Sequence, residues 1–219
     1  MTFSSRAVAQ QVPFRHHKPK PMEPVDFAAV IGGEDPAEIT EAAHVSAQLL
    51  VESSQSAEEQ EVKDRILALA QEHGIELLAQ MWASAPPVSL PGALWRLYVL
   101  HTALTRQPAE LARYFREGKP YADVSAVVAG VIEPPGAKEI TTVSHEILSG
   151  LFQQDLDVAL DRAAAFCVVV SAGQQAVADR QEHDDPSAAT SLYEQSHRLR
   201  KTAQELASAA RAWRQGALD

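Results

Sequence analysis

Cysteine is nearly absent from this chain of 219 residues: Cys167 stands alone, so no internal disulfide can form. Paired cysteines at zinc-binding spacing are therefore missing too. Aromatic residues make up 6% of the chain, and the ten glycines never gather into a phosphate-cradling loop. A nucleophile elbow and a complete His-Glu-x-x-His motif are also lacking: His145-Glu146 begins the latter, but Ser149 occupies the position of the second histidine. No apolar run approaches the ~20 residues needed to cross a bilayer. The N-terminus carries no apolar signal-peptide core. The sequence thus predicts a cytoplasmic protein with no membrane attachment. Positive charge is scarce as well, with 19 Lys and Arg against 29 Asp and Glu, a net charge of −10. That balance disfavours nonspecific nucleic-acid binding and polybasic membrane attachment.

What is present is helical pattern, organised around Asp155–Arg180. Leu156, Leu160, Ala163, Cys167 and Val170 fall on one helical face, while Phe166, Val168 and Val169 cover the others. A helix apolar all round must be surrounded by protein or lipid, and this run is too short for lipid. The pattern predicts a central helix wrapped by others. Asp155, Asp157 and Asp161 suit the positive end of its dipole, a simpler account than metal ligation. Gly173 marks close approach of a neighbour, or a weak point in the helix. Cys167, in the middle of the apolar run, reads as a buried structural thiol.

On either side the chain reads as follows. Residues 1–34, with Pro13, Pro19, Pro21 and Pro24, predict a flexible basic arm. Asp35-Pro36 opens a helix to about Glu52, with Ile39, Ala42, Ala43, Ser46, Leu49 and Leu50 inward. Ser56-x-x-Glu59 is a capping box for a helix ending at Gly74, and a shorter helix follows over Ile75–Ala83. Leu90–Thr105 carries Leu94, Leu97, Tyr98, His101 and Leu104 on one face; with Ala109–Glu117 it predicts an antiparallel hairpin. Ala122–Ile132 fits strand or helix, and its alanines favour helix. Lys138–Phe152 and a long amphipathic helix over Ser187–Gln215 complete the set. The expected fold is all-α, seven to nine helices in an irregular bundle. The core domain should span residues 35–182, with residues 187–216 capping it or packing at a dimer interface.

Few residues carry chemistry. Two Glu-x-x-His pairs, Glu41–His44 and Glu194–His197, match the spacing of di-iron bundles. Both point away from their helices' apolar stripes, so no metal site and no cofactor are expected. His101 is the mid-helix histidine on an apolar stripe, and burial there would hold it neutral. With Tyr98 it is the candidate ligand-binding pair, and Arg96 should face outward. Charge is unevenly spread: residues 93–119 carry +3 and residues 187–219 carry +2. Arg106, Arg113, Arg116 and Lys119 in the basic hairpin are the candidate partner-binding residues. Ala122–Ala129 is too poor in basic and polar groups to serve as a recognition helix, which makes specific nucleic-acid binding an unfavoured reading.

Two blocks, LPGALWRLYVLHTALTRQPAELARYFREG and PPGAKEITTVSHEILSGLFQQDLDVALDRAAAFCVVVSAG, resemble a group of uncharacterised helical actinobacterial proteins, over roughly residues 88–173. The resemblance implies a helical fold and assigns no site residues. The leading expectation is a non-enzymatic protein that binds another protein or a second copy of itself. The alternatives are a small-molecule sensor or enzyme with an apolar inter-helix pocket anchored by His101, and a nucleic-acid accessory protein using residues 93–119.

Overall fold

The computed structural model describes residues 36–51, 76–131, 136–152 and 156–219. The arm expected over residues 1–34 and the helix expected to open at Ser56 lie outside them. The described residues form α1 (Pro36–Val51), α2 (Glu76–Trp82), α3 (Leu90–Arg106), α4 (Pro108–Gly118), a 3-10 turn (Lys119–Tyr121), α5 (Asp123–Ala129), α6 (Ala137–Phe152), α7 (Leu156–Gln181) and α8 (Pro186–Arg214). Among them there is no strand, and the fold is all-α.

Local chemistry fixes the helix ends. Ser89 accepts a hydrogen bond from the Gly92 N–H and Pro91 lies in the first turn, so α3 starts where Ala85-Pro86-Pro87 releases the chain. Asp185 accepts from the Ala188 N–H ahead of Pro186, so a tight turn after Gln181 runs straight into α8. The ambiguous VSAVVAGVI stretch is a short helix, stopped at Ala129 because Gly130 takes a left-handed conformation (φ 68°).

The central helix is α7. Leu156, Leu160, Ala163, Phe166, Cys167, Val169 and Val170 are all buried, and α8, α4, α5 and α6 pack around them. Helix α8 lies along α7, pinned at one end by Arg214, whose guanidinium binds the carboxylates of both Asp157 and Asp161. These two acids therefore hold a tertiary contact in addition to suiting the helix dipole. Midway, buried Ser196 donates to the Ser171 carbonyl at 2.9 Å. Against another face of α7, α4 crosses with backbone against backbone. A Cβ on Gly173 would lie 1.8 Å from the Tyr114 carbonyl oxygen, and one on Gly118 would lie 1.9 Å from that of Val169. Gly173 thus marks close packing, and the helix is not interrupted there. Phe115 stacks on Phe166 beside this crossing, ring centroids 5.4 Å apart.

Three local expectations need correction. Helices α3 and α4 meet only around the Gln107 corner; α4 packs on α7 and α6, so the two do not form a closed hairpin. In α1 the buried stripe is Ala43, Ser46, Ala47 and Val51, while Ala42 is exposed. Within that stripe the Ser46 hydroxyl accepts from the indole N–H of buried Trp82 (3.1 Å), tying α1 to α2. Arg96 does not face outward: its Nε donates to Glu205 at 2.7 Å, tying α3 to α8 through a half-buried ion pair.

Candidate functional site

Helix α3 buries Leu90, Ala93, Leu94, Leu97, Leu100 and Leu104, which leaves Tyr98 and His101 half-buried at the margin. Tyr98 stacks on Trp95, with ring centroids 5.8 Å apart. His101 meets neither Tyr98 nor Arg96 as a polar partner. Its Nδ1 shares a 2.6 Å hydrogen bond with the Ser144 hydroxyl of α6, and its ring lies edge-on to His145 at 6.4 Å. Ser144 is 1% exposed, so its oxygen is closed to any substrate and the pair serves to dock α6 on α3. Partial burial, and secondarily the nearby His145, lower the His101 pKa below its ordinary value.

A lowered histidine pKa means that the unfolded chain binds the proton more tightly than the folded one. The His101 contribution to stability is then complete above the unfolded value near 6.5 and is lost as pH falls from there through the lowered folded value. Urea unfolding at pH 7.5 and pH 5.5 tests this. The midpoint of the wild type should fall more on acidification than that of His101→Gln; equal falls would remove His101 as the cause.

The candidate partner-binding cations are scattered. Arg106 is exposed at the end of α3, Arg113 covers the ring of Tyr114 at 4.6 Å, and Arg116 is exposed on α4. Lys119 is half-buried in the 3-10 turn. The Glu-x-x-His pairs face solvent: Glu41 and Glu194 are exposed, His197 is exposed, and His44 bonds the Thr40 carbonyl. Among the described residues, no three His, Cys, Asp or Glu side chains gather into a cluster that could hold a metal ion. No helix among them is long and apolar enough to cross a membrane.

Two concave features do stand out, neither lined by His101. The smaller, of about 240 Å³, lies between α3, α7 and α8, with Trp95 and Leu199 on its walls and the Arg96–Glu205 pair at its edge. Cys167 contributes to its floor with a fully buried thiol, whose pKa desolvation pushes up to about 12. Such a thiol is a poor nucleophile. Native protein should therefore react with an aromatic disulfide reagent far more slowly than denatured protein, which should yield one thiol at once. Rapid reaction in the native state would contradict the burial.

The larger feature is an open groove of about 700 Å³. One wall is Tyr121 from the 3-10 turn with Ser125 and Val128 from α5, and the floor is Ala164, Ala165 and Val168 of α7. The far wall is Arg200, Gln204 and Ala207 of α8. Tyr121 is 73% exposed, Val128 45%, and its neighbour Val127 81%. These residues were not singled out by the sequence pattern, because VSAVVAGVI reads equally well as a core segment. The sequence suggested the longer segment Ala122–Ile132; the structure ends the helix at seven residues, which leaves Val127 and Val128 exposed. Comparison with protein-family models, with curated proteins and with solved structures yields no match.

Proposed function

We propose that this is a non-enzymatic, cytoplasmic helical protein that works by binding another protein, and that the groove between α5, α7 and α8 is where it does so. The supporting observation is the exposure of Tyr121 and Val128 along an alanine-floored groove. Large apolar side chains held in water beside a concave apolar surface mark interaction sites more often than they serve the fold. Small floor residues let a partner's backbone approach closely, which suits an inserted helix. The shape has the same origin as the fold: α7 is apolar on every face, and α5 is too short to cover the face it meets.

The scattered basic residues Arg106, Arg113, Arg116 and Lys119 would act as peripheral contacts in this reading, not as its centre. We also propose membership in the group of uncharacterised helical actinobacterial proteins that residues 88–173 resemble. A second reading, a sensor for a small apolar ligand, draws its support from the cavity beside Trp95; its polar edge is then Arg96–Glu205 and not His101.

The test is a photo-crosslinking amino acid in place of Tyr121, used in the protein's own cells. A discrete adduct should form and should vanish when Ala207→Leu fills the groove, with helical content unchanged by circular dichroism. Adducts indifferent to Ala207→Leu, or none at all, would count against the groove.

A further inference from the structure

The far wall of the groove carries a charge pattern that narrows its occupant. Arg200, Gln204, Ala207 and Arg211 are spaced i, i+4, i+7 and i+11 on α8, within an arc of roughly 60° at 100° per residue. The row therefore begins and ends in a guanidinium, about 16 Å apart along the helix at 1.5 Å per residue. Both are exposed. Among the described residues, the Arg200 guanidinium reaches the amide oxygen of Gln175, at 3.4 Å, and that of Arg211 the Ser208 hydroxyl, at 2.9 Å, and neither meets a carboxylate.

In a chain where acids outnumber bases 29 to 19, four other arginines of the described residues meet carboxylates. Arg96 pairs with Glu205, Arg180 with Glu117, Arg198 with Glu194, and Arg214 with Asp157 and Asp161. The last pairing matters here, because Asp161 lines the groove and would otherwise repel an anion; Arg214 engages its carboxylate. What faces an incoming partner is thus an alanine-rich trough with Arg200 on its wall and Arg211 one turn past Ala207 on the same face of α8, each guanidinium bonded, among the described residues, to a neutral atom.

We propose that the occupant is an amphipathic helix of another protein, its apolar stripe flanked by two acidic residues about three turns apart that meet Arg200 and Arg211. The proposal rests on the groove being a protein-binding site and adds the chemistry of the partner. A helix lying along α7 and α8 puts its apolar stripe on Ala164, Val168 and Ala207 and presents its flank to the Arg200–Arg211 row. Guanidinium–carboxylate contacts at the rim of an apolar contact set partner choice and orientation more than bulk affinity.

A displayed library of helical peptides, with a fixed leucine–alanine stripe and randomised flanks, tests this on the full chain. Selection should enrich Asp or Glu at two flank positions about three turns apart. The selected peptide should bind wild type at least about tenfold more tightly than Arg200→Glu/Arg211→Glu, with the gap narrowing as salt rises. Replacing its two acids with lysine should reverse the preference. Enrichment that ignores charge but is lost in Ala207→Leu would overturn the acidic partner and leave the groove standing. Enrichment unaffected by Ala207→Leu, or no enrichment, would overturn both. A concentration-dependent dimer in sedimentation, abolished by Ala207→Leu, would give the groove to a second copy and likewise overturn the proposal.

Discussion

Gly173→Ala should destabilise the protein by about 3 kcal/mol, at the upper end of overpacking costs, and lower its melting temperature by about 6–12 °C at 2–4 °C per kcal/mol. Two effects oppose each other. Alanine is the better helix former by up to about 1 kcal/mol, and on that ground alone the substitution would stabilise α7. Against it, the new methyl would lie 1.8 Å from the Tyr114 carbonyl oxygen, 2.7 Å from its carbon and 2.9 Å from the Gly118 nitrogen. All three are backbone atoms within a helix and cannot rotate away. Relief requires α4 to move bodily off α7, which also pulls Phe115 from Phe166, so the clash wins. Gly118→Ala meets the Val169 carbonyl in the same way and should cost a similar amount. The double variant then supplies the sharper test. Once the first methyl has separated the helices the second finds room, so the combined loss should fall well short of additive. A rise in melting temperature for either single variant, or strict additivity, would refute the close crossing.

The central helix was legible in the sequence because its signal does not depend on context. A segment with apolar residues on every face and charges only at its ends has one place to go in a chain without a membrane-length run. The buried Cys167 was read from the same stretch, whereas Gly173 was left between close packing and a weak point until α4 was seen against it. What one sequence did not carry was direction. The inward face of α1 carries Ala43, Ser46, Ala47 and Val51, and the tie from Ser46 to Trp82 joins residues separated by a segment whose length leaves their pairing open. Arg96 was expected to face solvent because arginines usually do, yet Glu205 on α8 draws it in. His101 was read on an apolar stripe beside Tyr98; it stands half-buried at that stripe's margin, and its partner Ser144 is an unremarkable serine until α6 is laid beside α3.

The candidate site was harder still, and for a physical reason. A docking groove is defined by what does not cover it. Ala164, Ala165 and Val168 look identical in sequence to the core residues beside them, since periodicity reports apolar faces without saying which face is left unpartnered. The row Arg200, Gln204, Ala207 and Arg211 was written in α8, but its end charges gain meaning only once their neighbours are known: among the described residues each guanidinium bonds a neutral atom, and Arg214 engages the Asp161 carboxylate. The same long helix was read as a cap or a dimer element; it packs along α7 and leaves one edge open.

Phe166→Ala should cost about 3–5 kcal/mol, the range for an aromatic lost from a core. Phe166 is fully buried and stacked on Phe115 at 5.4 Å with 25° between the rings, so truncation leaves a cavity walled by helices already at closest approach. Collapse into it is blocked by the Gly118–Gly173 crossing, which already brings the backbones together, and that places the cost high in the range. A double-mutant cycle with Phe115→Ala should return a coupling of about 0.5–1.5 kcal/mol from the ring–ring contact. The helix that carries Phe166 toward α4 presents Ala164, Ala165 and Val168 to the groove. One helix therefore serves stability with one face and binding with another, and the two can be separated. Phe166→Ala, studied well below its lowered melting temperature, should retain the peptide binding that Ala207→Leu abolishes. Ala207→Leu, at the half-buried groove wall where Ala207 packs against the core, should change stability by about 1 kcal/mol, well short of the Phe166→Ala loss. If instead both variants lost stability together and binding together, the groove would be a gap in the core rather than a surface built for a partner.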